Sequence, residues 1–372
     1  MPAGRFRPPH CPNRHCRFYR PHADWRYFLW GFYQSPAWPR PIPRFQCQTC
    51  RRTFTARTFA ATYWLHRWDL FALIARLSVA GSGVRQIARS LDVSHSTVAR
   101  HLTRAGRLCF LFHRQMLAGH RLNEPIAFDG FETFEHSQFF PYHLNLAAGL
   151  DSWFLYHFTD SPLRRKGTMT AQQKERRTEL EATLGRPDPK AVENGVRELI
   201  QTVLRLAPEA TTAIELHSDE HPAYPRAIRR LRQRPGTPPL RHLRTPSTAP
   251  RTRANALFPV NLADLLLRHC QAGHRRETIA FDKRRQGGVE RAALFLVWRN
   301  AIKWQREAKP GLTAAMRAGI LSRRLGWRDV FARRLFPRRN ELPGCWWRYY
   351  WRRIKTPALG AEQTENRAVF AF

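Results

Sequence analysis

Four of the seven cysteines fall in two close pairs near the start of the chain, Cys11 and Cys16 in CPNRHC and Cys47 and Cys50 in FQCQTC. Four thiolates satisfy one tetrahedral Zn²⁺, and a short Pro-, Arg- and aromatic-rich segment that cannot enclose its own core gains folding free energy by closing such a site. The pairs therefore predict a zinc ribbon over residues 1–60. The second pair has the common two-residue spacing, whereas the first has four intervening residues, which leaves His10 or His15 open as a substitute ligand. Cys109, Cys270 and Cys345 stand apart and read as buried or incidental thiols. Seven cysteines in 372 residues are too few for a disulfide scaffold.

Charge points to the partner. The chain has 63 Lys and Arg against 28 Asp and Glu, a net charge of +35, and a fold tolerates that self-repulsion best beside a polyanion. Because 43% of the residues are hydrophobic, a purely disordered basic tail is excluded and two or three domains are expected. No stretch approaches the ~20 apolar residues of a membrane span, and MPAGRFRPPHCP lacks a secretory apolar segment. These features predict a cytoplasmic, nucleoid-associated protein with double-stranded DNA as partner and no membrane.

Residues 61–118 read as a helix-turn-helix domain. LFALIARLSVAG forms an apolar helix ending at Gly81, and GVRQIARSLDVSHSTVARHLTRAG supplies two helices joined by a tight turn at Val93, with Ser94 as N-cap. Ile87, Ala88 and Leu91 form one inward face and Val98 and Leu102 another. The third helix is expected to present His95, Ser96, Thr97, Arg100 and Arg104 to base edges and phosphates of the major groove. An ordinary helical hairpin, or one that contacts protein, is the competing reading.

From Asn123 onward, strand-like runs alternate with polar helices, so residues 119–310 read as an α/β domain, with a charged insertion near 164–190. Asp129 ends the apolar run Pro125–Phe128, and strands near 142–150 and 153–158 complete a three-stranded meander. A helix near 191–206 leads to a strand at 211–216 that delivers Asp219 in HSDEHPAY. After a strand near 240–245, a helix capped by Asn261 would carry Asp264 in its first turn. Three converging carboxylates, Asp129, Asp219 and Asp264, can hold two Mg²⁺ ions that activate a hydroxyl and stabilise the leaving oxygen of an in-line phosphoryl transfer. Each acid alone can equally be a turn former or a helix N-terminal residue. Glu277 and Glu290 are rivals for the third position.

The order of parts, a cysteine knuckle, a helix-turn-helix and then acids at strand ends followed by NALFPVNLADLLLRH, HRRETIAF and ALFLVWRN, resembles bacterial insertion-sequence transposases of the DDE type. The likeness spans Cys11 to about Lys303. It implies a multidomain α+β chain with an RNase H-like catalytic core containing a mixed sheet, Mg²⁺-dependent strand cleavage and transfer at transposon ends, and assembly of several protomers on DNA. The first two family acids fall on Asp129 and Asp219, and the third in the segment after Asn261. In that family the third acid is usually Glu with a basic residue seven positions on; Asp264 has Gln271 there and Glu277 has Arg284. A non-catalytic DNA-binding regulator or inactive transposase remnant, and a metal-dependent DNA nuclease, are the alternatives. Residues 311–372 form a basic aromatic region whose arginines suit phosphates and whose rings suit splayed bases, or else pack together beneath a solvated basic face.

Overall fold

The computed structural model describes residues 6–35, 38, 40–208, 213–275, 278–307 and 311–362. The N-terminal segment folds into three short antiparallel strands, β1 (Tyr27–Tyr33), β2 (Ile42–Cys47) and β3 (Thr53–Thr55). Its small core of Phe18, Trp25, Phe45, Phe54 and Phe59 surrounds the cysteines and is completed by Phe336 from the far end of the chain. A cluster this small has too little apolar area to be stable alone.

Three helices follow: α1 (Phe71–Val79), α2 (Val84–Ser90) and α3 (His95–Met116). The last has 22 residues, about 33 Å of helix at 1.5 Å per residue. It does not stop at Gly106, where the third helix of the sequence pattern ends; its second half, from Ala105 to Leu111, is enclosed on all sides.

A five-stranded sheet forms the centre. It comprises β4 (Ile126–Phe134), β5 (Pro141–Gly149), β6 (Leu155–Pro162), β7 (Ile214–Ser218) and β8 (Leu240–Arg244), in the order β6-β5-β4-β7-β8. β4, β5 and β6 form an antiparallel meander, whereas β7 runs parallel to β4 and β8 parallel to β7. The expected meander is therefore present, with β4 running past the acid that was read as its end. β5 and β6 are buried along nearly their whole length, which requires helices on both faces. α5 (Ala191–Leu204) and α6 (Ala223–Arg232) cover one face through Val196, Leu199 and Ile228 against Phe128 and Leu216. The other face packs on α7 (Phe258–Cys270), α8 (Arg285–Val297) and α3 through Ala127, Phe131 and Leu144. The helix-turn-helix segment and the sheet thus share one hydrophobic cluster.

The charged insertion contains α4 (Ala171–Leu184), which has no buried residue and is held by Arg164, Arg177 and Arg186 around Glu181. The C-terminal helices are α9 (Ala314–Arg317), α10 (Trp327–Val330) and α11 (Gly344–Tyr350). Of the two readings of the C-terminal aromatics, packing describes the buried ones. Trp346, Tyr349 and Tyr350 are buried, and the Trp346 indole donates to the Phe158 carbonyl at 2.9 Å.

Candidate nucleic-acid interface and acidic centre

β2 and β3 bring the second cysteine pair to the tip of a hairpin, where the Cys47 carbonyl accepts from the Arg51 N–H at 2.9 Å. The loop before the first 3₁₀ turn places Cys11 and Cys16 opposite. The Sγ atoms of Cys11 and Cys50 are 3.6 Å apart, those of Cys16 and Cys47 3.9 Å, and all four lie within 4.8 Å of one another. Four Zn–S bonds of about 2.3 Å at tetrahedral angles set sulfurs about 3.8 Å apart, so the quartet has the size of a zinc site. The Trp25 indole N–H donates to Cys47 Sγ at 3.3 Å, a contact that orients the thiolate from outside the site. His10 and His15 are not ligands. His10 is buried among Tyr19, Phe59 and Phe336, with its Nδ1 on the Cys11 carbonyl, and His15 is exposed and accepts from Arg14.

In the helical segment, Ile87, Val98 and Leu102 are buried, as the pattern requires. The turn between α2 and α3 bends through Asp92 at φ +48°, a left-handed conformation that Asp tolerates better than most residues. Ser94 caps α3 by accepting from the Thr97 N–H at 3.2 Å. His95, Ser96 and Arg100 are exposed on the first turns, and Thr97 is half-buried with its hydroxyl on Ser94. Arg104 differs from expectation. It is buried, and its guanidinium donates to the Tyr63 carbonyl at 2.8 Å, because α3 continues into the core instead of ending in solvent.

Asp129 on the central strand β4 and Asp219 at the end of the adjacent β7 are near enough for the charge of one to be felt by the other. In the parallel pair, Ile126 lies opposite Leu216 and Ala127 opposite His217, so continuing the register by two residues places Asp129 opposite Asp219, just past the end of β7. The carboxyl end of a parallel strand such as β7 is where open α/β sheets bind ligands. Asp129 Oδ1 accepts from the Gly130 N–H at 2.7 Å and the Tyr224 hydroxyl at 3.1 Å, and Asp219 Oδ1 accepts from the His221 N–H at 2.8 Å. Burial, and next the charge of Asp219, push Asp129 up to about 6. Asp264 is not in the first turn of its helix. α7 starts at Phe258 with Pro259 in its opening turn, a position that suits proline, so Asp264 sits one turn later. Its carboxyl is pushed well above the usual range by burial and then by Asp129, with Arg268 and Arg251 opposing. The Tyr224 hydroxyl feels the charge of all three acids.

These oxygens are hard donors of the type that Mg²⁺ takes. Asp264 is half-buried, and its raised carboxyl is of the type that a cation would hold ionised. The three acids do not form a metal-sized group; among the described residues only the four cysteines do. Glu290 is elsewhere, bonded to Thr103, Gln286 and Arg352 between α3 and α8. Glu277 lies outside the described residues. Tyr224, His143 and Arg251 were not singled out from the sequence. Tyr224 ends the same HSDEHPAY run as Asp219, whereas His143 reaches the site only through strand pairing, its Nδ1 so close to Gly130 that a Cβ there would lie 2.7 Å away.

No described helix is long and apolar enough to cross a membrane. No curated protein matches the chain. A helix-turn-helix domain family found in transposases matches residues 72–105, which span α1, α2 and the first half of α3, so this segment is similar to modules that bind DNA.

Proposed function

We propose that this chain is a DNA transposase with an RNase H-like core: the helix-turn-helix and a zinc-bound ribbon hold the element's ends, and Asp129, Asp219 and Asp264 form the centre for strand cleavage and transfer. The observation that supports the reading is the parallel pairing of Ile126 with Leu216 and Ala127 with His217 at the middle of a sheet ordered β6-β5-β4-β7-β8, from which Asp129 and Asp219 each follow two residues on. A meander followed by two parallel strands supports the RNase H-like assignment.

Asp129, Asp219 and Asp264 would hold Mg²⁺. The ions supply activation of the attacking hydroxyl and charge stabilisation at the leaving oxygen. The chain's own groups set the geometry around them: Tyr224 and the Gly130 N–H fix the Asp129 carboxylate through Oδ1, and the His221 N–H fixes Asp219. Arg251, from the loop after β8, brings positive charge to Asp129 and Asp264 and suits a scissile phosphate. Duplex DNA would lie across the exposed start of α3.

The test is a Mg²⁺-dependent joining assay with DNA from the flanks of the coding sequence and a plasmid target. Asp129→Asn and Asp219→Asn should abolish joining while duplex binding survives. Joining that persists in both variants refutes the reading. Cleavage without joining marks a nuclease, and binding without cleavage a regulator; that the cysteines, and not the three acids, form a metal-sized group among the described residues is the observation that keeps the regulator in view.

A further inference from the structure

Between the ribbon and the C-terminal segment lies a cleft of about 1140 Å³ to which the functions above assign no role. Arg14, Arg44 and Arg52 line it from the ribbon, and Arg334 and Arg338 from the C-terminal side. No Asp or Glu lines it among the described residues. Cations concentrated in one concavity focus a positive potential that an anion relieves.

The cleft wall carries a second, independent feature. Trp64 has φ +68°, in the left-handed region that a bulky side chain enters only at steric cost, and it is 65% exposed. Burial of apolar area does not offset that cost, because the ring stands in water. It lies edge-on to Tyr63 with centroids 6.1 Å apart, and Tyr63 is in turn covered by the Arg334 guanidinium at 4.8 Å. A solvent-held indole among arginines is the combination by which proteins take up unpaired strands, with bases on the ring and phosphates on the cations.

We propose that this cleft binds an unpaired strand of DNA, with a base stacked on Trp64 and neighbouring phosphates on Arg52 and Arg338. The proposal rests on the DNA-transposase reading and adds a second nucleic-acid site to it, distinct from α3. Duplex DNA offers base edges to its grooves, not faces, and would leave the indole without a stacking partner.

The experiment compares the intact chain with Trp64→Ala, Trp64→Phe and Arg100→Ala by fluorescence anisotropy, using labelled oligothymidylate, its ribonucleotide counterpart and a mixed-sequence duplex. Trp64→Ala should weaken oligothymidylate binding roughly 5- to 100-fold, the range for loss of one base–aromatic stack. Trp64→Phe should restore most of it, and duplex affinity should stay unchanged. Arg100→Ala should do the reverse. Unchanged oligothymidylate affinity in Trp64→Ala overturns the cleft proposal alone, as does equal weakening of both DNA probes, which would make the cleft a duplex site. Tighter binding of the ribonucleotide strand overturns the choice of DNA. If the wild-type chain binds neither DNA, the transposase reading fails with it.

Discussion

Asp129 faces two opposed demands. To hold a cation it must be ionised, yet burial and the neighbouring Asp219 raise it to about 6. A carboxyl raised in the folded state contributes stability that is full below its unfolded value near 4 and is lost as pH rises through about 6. At neutral pH the ionised group therefore costs the Mg²⁺-free fold about 3 kcal/mol, at 1.36 kcal/mol per unit. Asp129→Asn should raise the thermal midpoint at pH 7.5 without added Mg²⁺ and leave it nearly unchanged at pH 4. Calorimetry at both pH values checks this, and destabilisation at both would show that the carboxylate is structural. Mg²⁺ affinity should correspondingly fall as pH drops below 6, measurable by titration. That Asp129 and Asp219 follow strand runs was legible from the sequence, because each comes after a short apolar run in a chain poor in carboxylates. Asp264 was legible in identity but not in position: Pro259 moves the helix start upstream of Asn261. Glu290 was a rival only because the sequence does not show that α8 turns it toward α3 and Arg352.

At the scale of elements, α3 does two jobs along one axis. Its first turns present His95, Ser96 and Arg100 to solvent, and its second half crosses α8 so closely that a Cβ on Gly106 would lie 2.3 Å from the Glu290 carbonyl oxygen. No flexible joint exists within this helix between the exposed turns and the sheet, so a DNA contact at one end is rigidly placed relative to Asp129. Arg100→Ala should weaken duplex binding and lower the salt slope by about one phosphate contact; an unchanged slope would remove Arg100 from the interface. Glu290 ties the same crossing together through Thr103, Gln286 and Arg352. Glu290→Gln should cost about 3 kcal/mol in urea unfolding, as expected for breaking a buried ion pair, whereas Asp264→Asn should not destabilise the fold. The reverse pattern would move the third acid to Glu290. The residue pattern revealed α2, the turn and the start of α3, because those face a local core. It could not show that Arg104 is buried, since that depends on a contact with Tyr63, 41 residues earlier in the chain, and on a helix that runs on to Met116.

Across the whole molecule, the two ends of the chain meet. Phe336 completes the ribbon core, the Arg334 N–H donates to the Phe59 carbonyl at 2.8 Å, and the Arg334 guanidinium reaches the Thr58 carbonyl at 3.1 Å. The ribbon was legible from cysteine spacing alone, but its docking was not, because the contact links residues nearly 300 positions apart. The consequence is that metal at the cysteines should organise more than the ribbon. With four sulfurs at zinc-site distances and too little apolar area around them to hold the segment closed, removing metal should unfold the ribbon while the sheet domain, built on its own two clusters, stays folded. Trp25, buried against Cys47, should then enter water. Chelation is therefore expected to red-shift part of the tryptophan emission, to leave the helical circular dichroism near native and to weaken oligothymidylate binding through loss of Arg14, Arg44 and Arg52 from the cleft, with less effect on duplex binding through α3. Re-addition of Zn²⁺ should reverse all three changes. If chelation instead melts the whole chain in one transition, the ribbon is part of the central folding unit; if it changes nothing, the cysteines hold no metal and the ribbon is stabilised by its aromatic core.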